Sequence, residues 1–156
     1  MRKRAHPTPI LTMILKSPED KILRALLRGE LAAVESYRQA IRCFPELAAH
    51  PLIEGVRADP SRAVTTLTKL MVSHGGDPPP ESEPWNFLFE KDDPKRIFTP
   101  PCSALAAFKQ GEEHTVSQYK LALEEDDLPS PAKAVIRDEL LPLAWKNWLH
   151  IATLVT

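Results

Sequence analysis

One pattern occurs twice in this chain at a fixed separation. Gly29-Glu30, Val34, Tyr37, Ala40 and Ile41 return 82 residues later as Gly111-Glu112, Val116, Tyr119, Ala122 and Leu123, and Leu23 and Leu26 extend the match to Leu105 and Phe108. Apolar residues spaced by three, four and seven read as a helix, so each copy is one helix of a repeated helical hairpin, and two such hairpins pack as a pseudo-two-fold bundle. In each copy the glutamate falls four residues before the valine and three or four after an apolar residue, on the apolar stripe. The repeat therefore predicts two carboxylates facing each other near a bundle axis.

Sixteen prolines punctuate four stretches of helical period. The first opens at Ser17 as N-cap, with Pro18 at the first helical position and Glu19 and Asp20 in the first turn, and it ends before Pro45. The second runs from Pro51 to Gly75-Gly76, with Pro60 predicting a kink or a restart capped by Asp59. The third begins after Ser103. The fourth starts near Ser130-Pro131, with a bend expected at Pro142. Between the second and third lies a proline-rich segment too long for a structureless loop in a compact domain. It reads as a crossover running the length of the bundle, with Trp85, Phe87, Leu88 and Phe89 pinning it to the outside. Two short hairpins joined by one long crossover is the connectivity of ferritin-like bundles. The fold class expected is all-α, a four-helix bundle over residues 17–156 behind an N-terminal tail at 1–16.

A chain of 156 residues can bury roughly 70% of its extended surface in one core. A net charge of −1 with 26% charged residues lacks the basic footprint of a nucleic-acid binder. Cys43 and Cys102 are too few and too far apart for a disulfide framework or a cysteine metal site. The basic start followed by "ILTMIL" is too short and interrupted for a signal peptide, and no run reaches the ~20 apolar residues of a membrane span. No P-loop, dinucleotide fingerprint or nucleophile triad is present in the sequence. These features point to a cytoplasmic protein without nucleic-acid or membrane partners. Trp145 and Trp148, three apart, would cover the crossover or a homodimer face.

An ionised carboxylate in a core is costly unless it takes up a proton or meets a cation or hydrogen-bond donors. Metal ligation is one answer, since di-iron and di-manganese bundles take a Glu from each of two helices and a Glu-x-x-His from each of the others. The fourth helix offers Asn147-x-x-His150, whereas the second reads Arg57-x-x-Pro60. The other answer is a polar network of Glu30 and Glu112 with Tyr37, Tyr119, His150 or Arg57, whose guanidinium could neutralise both acids. His114 and Glu113 read as solvated, His74 as a residue at a helix C-terminus, and Glu35 as a surface acid paired locally with Arg38 or Gln39.

The stretches "LLRGELAAVESYRQAI", "GEEHTVSQYKLAL" and "LLPLAWKNWLHIATL" resemble a small bacterial branch of the ferritin-like superfamily, single four-helix-bundle domains of unknown function, over about residues 18 to 155. That resemblance implies Glu30, Glu112 and His150 at metal-ligand positions. Arg57, Pro60 and Asn147 depart from the pattern, and Asp59-Pro60 stands where the branch has an Asp-His pair. The function expected is a non-catalytic bundle with a degenerate metal site, no cofactor, and an interaction or stress-related role. The alternative is an iron- or manganese-binding protein with oxidase or metal-handling chemistry, in which Asn147 orients water.

Overall fold

A computed structural model describes residues 17–82, 85, 89–90, 93–97 and 101–155. The tail at 1–16, Phe87 and Leu88 lie outside the described residues, as does the side chain of Phe89. Among the described residues the regular structure is helical apart from one small hairpin. Helix α1 is Pro18–Cys43 and α2 is Pro51–Ser73, joined by a 3₁₀ turn at Pro45–Ala49. Strands β1 (Phe89–Glu90) and β2 (Asp93–Ile97) pair antiparallel within the crossover, Phe89 opposite Ile97 and Glu90 opposite Asp93. Helix α3 is Pro101–Leu123. The fourth rod is α4 (Ser130–Val135), a π segment (Ile136–Leu140) and α5 (Leu141–Val155) in succession. None of the described helices is long and apolar enough to cross a membrane.

Local chemistry sets the ends. Ser17 Oγ accepts from the Asp20 backbone N–H at 3.0 Å, satisfying one of the unpaired first-turn donors of α1. Helix α2 closes with a Schellman motif: the Gly76 N–H reaches Met71 O, the Gly75 N–H reaches Val72 O, and Gly75 takes φ +79°. That turn is tied back to α1, for Arg24 donates to Asp77 O at 2.8 Å and His74 lies 3.6 Å from Glu19. The start of α1 thus meets the end of α2, and the two helices run antiparallel.

Both helix-interior prolines are accommodated without a break, and the restart at Pro60 is not found. Helix α2 continues through Pro60 without a restart, so Asp59 is an interior helical residue and caps nothing. Breaking a helix at proline is worth about 3 kcal/mol. Val56, Ala63 and Leu67, all buried on either side of it, contribute ~1.5–3 kcal/mol for each large apolar side chain, which outweighs the break. At Pro142 the accommodation is a π turn: the Leu141 N–H bonds Ile136 O, five residues back. Proline cannot donate and its ring crowds the carbonyl one turn earlier. Widening the turn just ahead of it relieves that crowding and keeps the rod continuous.

In the crossover Trp85 is 7% exposed, its ring and backbone held against α1 and α3. Its backbone N–H donates to Ser36 Oγ at 2.8 Å. On the outer surface, Glu35 holds Arg38 and Gln39 as the sequence predicts, and Trp145 packs edge-on to Trp148 with Lys120 4.6 Å above its ring.

Candidate functional site

The interior is two apolar layers with a polar one between them. One layer gathers Leu23, Leu27, Leu67, Met71, Val116 and Ile136, and the other gathers Ala33, Ile53, Val56, Phe108 and Ile151 around Trp85. Between them lie Glu30 from α1, Asp59 from α2, Glu112 from α3 and Asn147 from α5, all buried; Ser36 on α1 and Thr115 on α3 are buried too, and each bonds a carbonyl of its own helix. Each lies three or four residues from buried apolar neighbours on its own helix, so the periodicity that makes the core also carries the polar residue inward.

The two glutamates are bound reciprocally. Tyr119 Oη donates to Glu30 Oε1 at 2.6 Å, and Tyr37 Oη donates to Glu112 Oε2 at 3.0 Å. The repeat relates each of these bonds to the other, since shifting Glu30 and Tyr37 by its offset gives Glu112 and Tyr119. Residue i of one copy touches j of the other and j touches i, as at a two-fold interface. The pairing also makes α1 and α3 antiparallel. Helix α3 therefore starts at the far end of the bundle from the end of α2, and the crossover must travel the bundle's length.

Burial decides the protonation of this layer. Loss of solvent raises Glu30 from 4.5 to about 7, against the Tyr119 hydrogen bond, which pulls it down, and with the Asp59 charge adding to the rise. Burial likewise pushes Glu112 well above the carboxylate range, reinforced by the charge on Glu30, while Tyr37 works against it. Both tyrosines are raised by burial and by the acids they face, so they keep their protons as donors. Both glutamates therefore hold their protons to higher pH than ordinary carboxylates do, with the tyrosines as donors.

The remaining candidates fall differently. Arg57 does not neutralise the acids: its side chain is 42% exposed and lies 3.4 Å from Glu54 on its own helix. Position 57 is two residues from the inward Asp59, about 160° around the helix, and so faces out. His150 is half-buried, and no hydrogen bond joins it to either acid among the described residues. It sits about 60° from Asn147 on α5, whose central stripe is Ala144, Asn147 and Ile151. Asn147 is central, and its Oδ1 has no hydrogen-bond partner among the described residues. His114 and Glu113 are exposed.

Asp59 is the site residue that sequence reasoning misses; it is 3% exposed, 3.0 Å from Lys146 Nζ and 3.3 Å from Arg62 Nη1. Its signal is the stripe Val56, Asp59, Ala63, Leu67, with spacings of three, four and four. Reading Pro60 as a helix break hides it.

This donor set does not fit a di-metal centre. Each glutamate accepts from a tyrosine, the third acid is ion-paired to two cations, and the histidine lies off the axis. Among the described residues no three His, Cys, Asp or Glu side chains group as a metal site. What the layer can do is hold and exchange a proton in the interior. Removing one donor tests its structure: Tyr119→Phe leaves Glu30 Oε1 unpartnered and is expected to destabilise by ~1–3 kcal/mol. The loss should be greater at pH 8 than at pH 5, because the acceptor is then charged. Urea melts at the two pH values measure it.

The chain matches no protein family, no curated protein and no solved structure.

Proposed function

We propose that this protein is a non-catalytic, ferritin-like bundle in which a proton-holding tyrosine–carboxylate layer takes the place of a metal centre, and that it acts by binding rather than by chemistry. The reciprocal Tyr119–Glu30 and Tyr37–Glu112 hydrogen bonds carry this reading. They give each glutamate a donor from within the chain, and burial favours the protonated form of both, so a metal cation is not needed to offset their charge. Two hairpins, a crossover and the inward Glu30, Asp59, Glu112 and Asn147 from four successive rods support the ferritin-like part.

The test is elemental analysis of untagged protein expressed with iron and manganese in excess, beside Glu30→Ala and Glu112→Ala. Metal far below one equivalent in all three proteins is the expected result. Near-stoichiometric iron or manganese that disappears in both variants would sink the proposal and make the layer a metal site.

A further inference from the structure

The groove between α1 and α3 has two positions related by the internal repeat, and they are filled differently. At one, Trp85 is seated. Its N–H donates to Ser36, its ring meets Tyr37 edge-on at a centroid distance of 6.1 Å, and its benzo edge lies against the bare Cα of Gly111. Shifting those three residues by the repeat offset gives Gln118, Tyr119 and Gly29. All three line a cleft of about 330 Å³ between the same two helices. A Cβ on Gly111 would run into the Trp85 ring, whereas a Cβ on Gly29 would meet nothing within 4 Å among the described residues. Among the described residues, the cleft is the image of the tryptophan seat with no ring in it.

We infer that this cleft binds a small planar aromatic molecule of indole size that carries an acidic group. The seat fits a flat ring because its image holds one: a glycine lets the ring approach the helix backbone, and a nearly buried tyrosine forms the floor. Its volume falls in the range of small-molecule sites, which are mostly apolar with a few polar groups that fix orientation. Gln118 replaces the Ser36 hydroxyl and offers both an acceptor for a ring N–H and donors for an oxygen. Arg28 and His114 also line the cleft, and none of its lining residues is an acid, so its charge favours an anion over a cation. The proposal does not depend on whether the carboxylate layer holds metal.

An ¹H–¹⁵N NMR titration of the full chain with indole-3-acetate, indole and tryptamine tests this. Expected is saturable movement of the Gly29, Thr115 and Gln118 amides, tightest with indole-3-acetate, weaker with indole and weakest with tryptamine. Gly29→Ala should weaken indole-3-acetate roughly tenfold or more, a Cβ being enough to lift a ring off the backbone, without lowering the melting temperature. Arg28→Gln should bring indole-3-acetate to the level of indole. No saturable shift with any of the three in the wild type overturns the site. So does a folded Gly29→Ala protein that binds as tightly as wild type. Tryptamine binding as well as indole-3-acetate overturns the acidic character of the ligand.

Discussion

Gly111→Ala is expected to destabilise the protein by about 2–4 kcal/mol, while the repeat-equivalent Gly29→Ala stabilises it by about 1 kcal/mol. Both glycines lie inside helices, where replacement by alanine is ordinarily worth ~1 kcal/mol in the helix's favour. At Gly29 that is the whole effect, since the new methyl meets nothing within 4 Å among the described residues. At Gly111 the methyl would stand closer than 3.0 Å to Cη2, Cζ3 and Cε3 of Trp85. Those atoms belong to a rigid buried ring held by Tyr37 and anchored through Ser36, so the ring cannot swing aside as a flexible side chain would. Losing a buried tryptophan's packing costs ~3–5 kcal/mol, from which the propensity gain is subtracted. Urea melts of the two variants measure the difference. A double-mutant cycle identifies its cause: in a Trp85→Ala background Gly111→Ala should cost nothing further, because the ring it displaces is already gone. Equal effects at the two glycines in the wild-type background would mean that Trp85 does not occupy that seat.

These two glycines also mark how far the sequence can be read. The repeat puts Glu30 and Glu112 inside and defines the hairpins, because helical period and proline punctuation are local signals that the core then reinforces. The same repeat is enough to pair each Glu with the other copy's Tyr, since the 30-to-37 and 112-to-119 spacings are both seven and antiparallel packing matches such spacings directly. What stays illegible depends on distant segments. Nothing near Gly29 or Gly111 says that Trp85 covers one and not the other, because the crossover has no repeat partner inside the chain's two hairpins. Asp59 is hidden for a different reason: the intrinsic penalty of Pro60 predicts the end of a helix that tertiary packing carries through. Aligning Arg57-x-x-Pro60 with Asn147-x-x-His150 points Arg57 inward, when the buried positions are Asp59 and Asn147 and the matching spacing is Asp59-x-x-Arg62.

Stability should fall as pH rises from about 4.5 to about 7, by on the order of 3 kcal/mol from Glu30 alone. A carboxyl whose pKa is raised on folding, here from 4.5 to about 7, holds its proton more tightly in the native than in the unfolded state. The native state then binds more protons, and unfolding becomes easier as pH increases. That contribution is complete below the unfolded pKa and is lost through the folded one, each tenfold difference in proton affinity being worth ~1.4 kcal/mol. Glu112 moves in the same direction, chiefly through burial, so it adds to the decline. Glu35, lowered chiefly by its hydrogen bond from Arg38, has the opposite sign, and its contribution is lost only as pH falls below the ordinary carboxylate range. Glu30→Gln and Glu112→Gln keep an acceptor for each tyrosine but remove the ionisable proton. Denaturant melts from pH 5 to pH 9 should therefore show each variant close to wild type at pH 5 and more stable than it at pH 9, with the double variant nearly flat across the range. A wild-type protein whose stability is level or rises between pH 5 and pH 8 would mean that the layer is charged in the folded state and that something other than tyrosine hydroxyls holds it there. A metal ion would produce that behaviour, because it drives carboxylates to ionise, and the pH profile is thus an independent check on the elemental analysis.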